Sequence, residues 1–229
     1  MAAKKTVEKY GDMCNILIVN NPVIEEDADN IRFGNDVAKW IGCDIITASN
    51  SKYPNNSAVE VWDARKFMSG IHGAPCTLLL KKEARYQFEL THKIDWHVLG
   101  FTFDEIGRHE RFILLERENT IPILIDLKLT KGRCFEILEE AGIELPSVYK
   151  RGYPNANCIG CVKSNSATYW NHVRKQDPDI FDARSEQSRR IGTKLVRYKG
   201  VRMYLDELPI NARGGKMKSF ECGIFCDTK

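Results

Sequence analysis

Eight cysteines punctuate this chain, at positions 14, 43, 76, 134, 158, 161, 222 and 226. Four of them form two close pairs, Cys158-Ile-Gly-Cys161 and Cys222-Gly-Ile-Phe-Cys226. Two thiolates two residues apart can chelate one metal ion from a tight turn, and Gly160 permits that turn. A redox dithiol and plain structural thiols are the rival readings. Redox pairs usually open a helix after a strand, whereas YPNANCIGCVK has the composition of a loop. A CxxC needs further ligands. Cys76, in GAPCTLLLKK, supplies a third thiolate if the fold brings it close. Cys222 and Cys226 are the other source, and would close a four-cysteine zinc or iron–sulfur site. Cys222 also admits a different chemistry. On a tail rich in lysine, beside Lys216 and Lys218, its thiolate would be stabilised and reachable, as a nucleophile must be. Cys14, Cys43 and Cys134 sit among apolar residues and are expected to be buried small hydrophobes.

Cations provide the second kind of chemistry. Lys81 and Lys82, then Arg108 and Arg111, follow expected strand ends, and arginine suits a bidentate grip on phosphate or sulfate. Surface ion pairing is the alternative for each of them. The five histidines show no ligand spacing, and His97, within a strand pattern, reads as a core or supporting residue. No G-x-G-x-x-G, G-x-S-x-G or Walker loop is present.

These residues must be carried by ordered elements. The first 145 residues alternate helix-like and strand-like stretches. Residues 3–10 have helical spacing, and 15–20 (NILIVN) read as a strand. Residues 26–41 are an amphipathic helix stopped by Gly42, and 44–48 are the next strand. Helices are expected over 59–68 and 78–90, and strands over 96–101 and 121–125. Thr130 is expected to cap a helix reaching Ala141. Such alternation predicts an α/β fold, a doubly wound and mostly parallel sheet with helices on both faces. Ligands of these folds bind beyond the carboxyl ends of the strands. That puts Asn20, Asn21, Ser49, Asn50 and residues 102–108 near any site. After residue 145 the texture changes, so the expected division is an α/β domain over 1–145 and a cysteine-containing region over 146–229. The latter should hold two helices (167–176 and 178–191), a hairpin turning at Lys199-Gly200, and a mobile Gly- and Lys-rich end from Asn211.

With 43% hydrophobic and 28% charged residues, the 229-residue chain is composed like a globular protein, not a disordered, collagenous or coiled-coil one. No apolar run approaches the roughly 20 residues of a membrane span. MAAKKTVEKYGDM lacks the apolar core of a secretory signal, which predicts a cytoplasmic protein with no membrane association. The net charge of +3 is unevenly spread, since residues 184–229 hold 11 Lys/Arg against 5 Asp/Glu. A basic end suits an anionic ligand, either a nucleotide or a nucleic-acid backbone, or is a solvated basic face.

Four segments together resemble the phosphoadenylyl-sulfate (PAPS) and adenylyl-sulfate reductase family, within the PP-loop adenine nucleotide alpha hydrolase-like superfamily. ILIVNNPVIEEDADNIRFGNDVAKWIG is similar to the family's second strand and following helix. GAPCTLLLK is similar to its cysteine-plus-lysine element, GYPNANCIGCVK to its Gly-Tyr-Pro loop with CxxC, and KSFECGIFC to its C-terminal Glu-Cys-Gly element. Between Cys76 and Cys158 lie 81 residues, a separation similar to that between the cluster-binding Cys-Cys pair and the CxxC of adenylyl-sulfate reductases. The departures are specific. The family opens with a strand and a Ser-Gly-Gly-Lys-Asp-Ser-type loop, whereas MAAKKTVEKYG resembles the helix just after it. Thr77 stands where the second Cys of the pair would be. Gly100-Phe101-Thr102 replaces Gly-x-Arg, and Cys226 replaces the region of the tail histidine.

The resemblance implies a thiol-dependent reductase or sulfurtransferase acting on an adenine sulfonucleotide. Cys222 would be the nucleophile, and a thioredoxin-like reductant or glutathione would be the partner. Cys76, Cys158 and Cys161 would hold an iron–sulfur cluster, or alternatively zinc. Lys81, Arg108 and Arg111 would neutralise phosphate or sulfate oxygens, and Asn20 and Asn21 would lie near adenine or ribose. Two alternatives accompany it: a catalytically degenerate relative serving as a binding or regulatory module, and a nucleic-acid sulfur-modification protein.

Overall fold

The computed structural model describes residues 1–70, 73–215 and 217. In chain order its first elements are α1 (Ala2–Tyr10), β1 (Ile18–Asn20), α2 (Asp29–Ile41), β2 (Ile45–Thr47), α3 (Ala58–Arg65), α4 (Ala84–Glu89) and β3 (His97–Val98). There follow α5 (Ile106–Leu115), β4 (Thr120–Ile121), α6 (Ile123–Asp126), α7 (Lys131–Glu140), α8 (Ser147–Lys150), α9 (Ala167–Gln176), α10 (Pro178–Ile191), β5 (Val196–Tyr198) and β6 (Val201–Met203). A π-helical segment covers Thr77–Glu83 and a 3-10 turn Phe103–Glu105. The chain is α/β, with small parallel sheets. It divides into two compact units, each assembled from separate stretches of sequence.

The first unit comprises residues 1–20, 29–47 and 88–146. Strands β1 and β2 pair in parallel, Ile18 opposite Ile45 and Asn20 opposite Thr47. Parallel neighbours require a crossover, and α2 lies between them in sequence. Gly42, at φ +80, lets the chain leave α2. Strands β3 and β4 repeat the arrangement around α5, with His97 opposite Thr120. Ile123, Leu124 and Cys134 form a small core, against which Met1, Tyr10, Val98 and Leu129 pack. Thr130 caps α7 as expected, its Oγ1 accepting from the Arg133 amide at 3.2 Å.

Several strands are shorter than the apolar runs that predict them. The run 15–20 is extended in strand pairing only from Ile18, and Cys14, expected to be buried, is exposed in the turn after α1. The run 96–101 contributes two residues to β3. The run 121–125 stops pairing at Ile121, because Pro122 has no amide to donate and instead precedes α6.

The second unit comprises residues 21–28, 48–87 and the chain from 147 on. Its core is large, with Trp62, Met68, Leu80, Trp170, Leu195 and Leu205 fully buried. Helix α3 begins at Ser57, whose Oγ accepts from the Glu60 amide at 3.2 Å. Helices α9 and α10 meet at Asp177, and Pro178 at the first position of α10 fits its fixed φ. Strands β5 and β6 form the expected hairpin, with Lys199 at φ +48 and Gly200 at φ +83, both positive as a type I′ turn requires.

The Gly-rich stretch expected to be mobile is tied down as far as Gly215. The Gly214 amide donates to Thr168 Oγ1 at 2.9 Å, and Ser166 Oγ donates to the Gly215 carbonyl at 2.9 Å. Asn171 Nδ2 holds the Pro209 and Ala212 carbonyls. Among the described residues no helix is long and apolar enough to cross a membrane.

Candidate functional site

Cys76, Cys158 and Cys161, far apart in sequence, belong to one core in the second unit, each less than a tenth exposed. Cys76 stands at the head of the π-helical segment, a helix form enriched at functional sites. The CxxC turn is pinned from several sides. The Ile159 amide donates to the Glu25 carbonyl at 3.0 Å. The Cys161 amide donates to Tyr169 Oη at 2.8 Å, and the Ser164 amide to the Cys161 carbonyl at 3.0 Å. Gly160 is at φ +70, where side chains are strained. A Cβ there would meet Ile180 Cγ2 at 3.0 Å and Arg184 Nε at 3.8 Å, so α10 lies directly on the turn.

Arg184 is the unusual neighbour. Its side chain projects from α10 and is only 4% exposed. The guanidinium lies over the Trp62 ring, 4.3 Å from its centroid. Nη1 donates to Gln187 Oε1, and Gln187 in turn donates to the Val59 carbonyl at 3.2 Å. Nε has no hydrogen-bond partner. Burial pushes this guanidinium below its ordinary pKa, while Glu25, Cys158, Cys161 and Cys76 all act to hold the charge. The Glu25 carboxylate is otherwise occupied. It accepts from Ser57 Oγ at 2.7 Å and from the amides of Ala58 and Val59 at 2.8 and 3.1 Å.

Cys158 and Cys161 also line a cavity of about 20 Å³ together with Tyr153, Pro154, Asn155, Asn157 and Tyr169. Such a volume admits about one water molecule. Burial raises the Tyr169 hydroxyl well above its ordinary pKa. Tyr153 is raised by burial and by its hydrogen bond to Asp177. Both phenols therefore stay protonated donors through the neutral range.

Among the described residues no three His, Cys, Asp or Glu side chains stand in a metal-binding arrangement. The three thiols share a core, and Arg184 lies against the turn that carries two of them. The donor set nonetheless fits a thiophilic metal, since cysteine sulfur suits zinc and iron–sulfur clusters, and the unpartnered Arg184 Nε–H beside the turn fits an anionic occupant.

The remaining expected residues are distributed between the units. Lys81 Nζ donates to the Asn21 carbonyl and lies 3.0 Å from Glu26 Oε1. Asn21 Nδ2 reaches the Ala48 carbonyl at 2.8 Å. These contacts join Asn21 and Lys81 within the second unit. Asn20, at the end of β1, belongs to the first unit, as do Arg108 and Arg111. Arg108 is paired with Glu105 at 2.6 Å and lies over the Phe101 ring, and Arg111 is exposed on α5. Cys222, Cys226, Lys216 and Lys218 lie outside the described residues.

Arg184, Tyr169 and Glu25 are site residues that spacing alone did not single out. No pattern in the sequence marked Arg184, because the face it shares is mostly polar. Phe181, Arg184, Ser185 and Ser188 recur at helical spacing and form the buried stripe of α10, which sets an arginine on an inward face. No protein-family model, curated protein or solved structure matches the chain.

Proposed function

We propose that this protein is a thiol-dependent enzyme acting on an adenine sulfonucleotide, resembling the PAPS reductases, with a cysteine-ligated metal centre in the second unit. The observation that carries the reading is that Cys76, Cys158 and Cys161 share one buried core, with the buried Arg184 of α10 lying on the CxxC turn. These three cysteines would hold an iron–sulfur cluster, with zinc as the alternative. When bound, that group supplies electrostatic organisation of the site, or an electron-accepting centre if it is a cluster.

In the proposed reaction the Cys222 thiolate attacks the sulfonyl sulfur of the substrate. A sulfur–sulfur bond forms, and the sulfur–oxygen bond to the nucleotide phosphate breaks. The nucleoside phosphate leaves with the bonding pair, and the enzyme carries a thiosulfonate. A dithiol reductant of the thioredoxin class, or glutathione, then attacks Cys222 sulfur, forming a mixed disulfide and releasing sulfite. A second thiol (the reductant's own, or another glutathione) attacks that disulfide, freeing the Cys222 thiolate and leaving the reductant oxidised to its disulfide. Asn21 and Lys81, joined within the second unit, would orient nucleotide and neutralise phosphate. The finer fold reading, a doubly wound mostly parallel sheet, is supported by the two parallel pairs that each enclose a helix in sequence. A cytoplasmic location would suit reduced thiols.

A second reading, sulfur modification of nucleic acid, is favoured by one observation. Arg197 and Arg202 face each other across the β5–β6 hairpin, both exposed. Like charges directly opposite repel, and a phosphodiester backbone would relieve them.

The test begins with anaerobically purified full chain. Metal content is measured with and without Cys158→Ser, and sulfite release is followed with PAPS or adenylyl sulfate and reduced thioredoxin. Bound iron or zinc lost in the variant, with sulfite release abolished by Cys222→Ser, is expected. Protein without either metal and without sulfite release under these conditions defeats the proposal.

A further inference from the structure

We infer that Arg184 is the built-in counter-cation of the cysteine centre, its unpartnered Nε–H held for a sulfur of the metal–thiolate assembly. The inference rests on the metal reading above and deepens it. Three independent features lead to it. The first is geometric: a Cβ on Gly160, the middle of the CxxC, would stand 3.8 Å from Arg184 Nε. The guanidinium edge therefore lies against the turn that presents Cys158 and Cys161. The second is the orphaned donor. Buried polar groups are nearly always hydrogen-bonded, yet Nε has no partner while Nη1 is engaged by Gln187.

The third feature is charge balance. A buried arginine normally meets a carboxylate. The nearby carboxylate, Glu25, is turned to Ser57 and the first amides of α3, and the other groups that favour the charge are the three thiols. Three thiolates on a divalent metal, or four around a cluster, carry net negative charge. A cation over Trp62 that cannot swing away is the matching partner.

Two roles for Arg184 give different results. A packing prop for Trp62 would affect stability alone. A counter-cation would also affect how tightly metal is held and, for a cluster, how readily it accepts an electron. The experiment uses the full chain, purified anaerobically, as wild type, Arg184→Met, Arg184→Gln and Arg184→Lys. Methionine replaces the apolar stem without leaving a buried polar group, so either neutral variant can serve if the other misfolds. Loss of metal to a chelator is followed over time, the midpoint potential is measured if iron is present, and the melting temperature is taken with and without metal.

The neutral variants are expected to lose metal at least tenfold faster than wild type, and Arg184→Lys to recover part of that loss. A cluster in a neutral variant should show a tenfold shift of the oxidised-to-reduced ratio toward oxidised, about 59 mV more negative for one electron. Metal retention and potential unchanged in a folded neutral variant, with only the metal-free melting temperature lowered, overturns the inference and leaves the metal reading intact. Wild-type protein that binds neither iron nor zinc overturns both.

Discussion

At the residue scale, one hydroxyl holds the CxxC turn. Tyr169 Oη is the acceptor for the Cys161 amide, and both residues are less than a tenth exposed. Tyr169→Phe keeps the ring and its edge-on contact with Trp170, but leaves that amide unpaired. A buried donor without a partner costs about 1–3 kcal/mol. The urea midpoint of the metal-free protein should fall by a corresponding amount, with far-ultraviolet circular dichroism unchanged. An unchanged midpoint would mean that another acceptor reaches the amide. The cysteines and Gly160 were legible in the sequence because spacing and a glycine requirement are local properties. Tyr169 and Glu25 were not, because each acts across a distance in sequence that only the folded chain defines. Arg184 was not legible either, because the stripe that α10 buries is mostly polar, with Phe181 its one apolar member.

At the element scale, α3 depends on a residue outside it. Glu25 takes the amides of Ala58 and Val59, so the positive end of the helix meets a carboxylate from a loop 33 residues earlier. Glu25→Gln keeps an acceptor but removes the charge, and should cost about 1 kcal/mol by the usual worth of an anion at a helix start. Denaturant titration in low salt checks it, and a loss below the error of the measurement would reduce the contact to packing. Helices α7, α9 and α10 and the hairpin matched their sequence signals closely, since Thr130, Ser166, Pro178, Gly192 and Lys199-Gly200 are local start and stop devices. The strands matched less well. A strand ends where its partner ends, and an apolar run such as NILIVN cannot state its partner's length. The segment after Cys76 reads as a regular helix, and its wide π-helical turns leave no mark in hydrophobic periodicity.

At the scale of the whole molecule, two histidines link stability to pH. Burial lowers the pKa of His109 in the first unit and of His172 in the second from an ordinary value of 6.5. The unfolded chain therefore takes up these protons at higher pH than the folded one. Between the lowered folded values and 6.5 the unfolded state binds more protons, so stability rises with pH across that window and falls on acidification. The urea midpoint should drop between pH 7.5 and 5.5. His172 packs edge-on against Tyr153, 4.6 Å between centroids, so His172→Phe retains the contact and removes the proton. Its midpoint should fall less steeply over the same range. An identical slope would assign the acid loss to other groups.

The anchoring of the chain at Gly215 fixes a length. Ser166 and Thr168, at the start of α9, hold Gly214 and Gly215, and the same helix carries Tyr169 against the CxxC turn. Cys222 follows seven residues after Gly215. Whatever path those residues take, a fully extended leash of that length spans at most about 25 Å. A thiol confined to a sphere of that radius is present at an effective concentration on the order of tens of millimolar, comparable to other short intramolecular tethers. A Cys222 thiolate would thus meet anything bound within its radius as an intramolecular reactant. Lengthening the leash by a Gly-Ser insertion after Gly215 should dilute it, slowing any reaction that Cys222 carries out within that radius, with the melting temperature of the body unchanged.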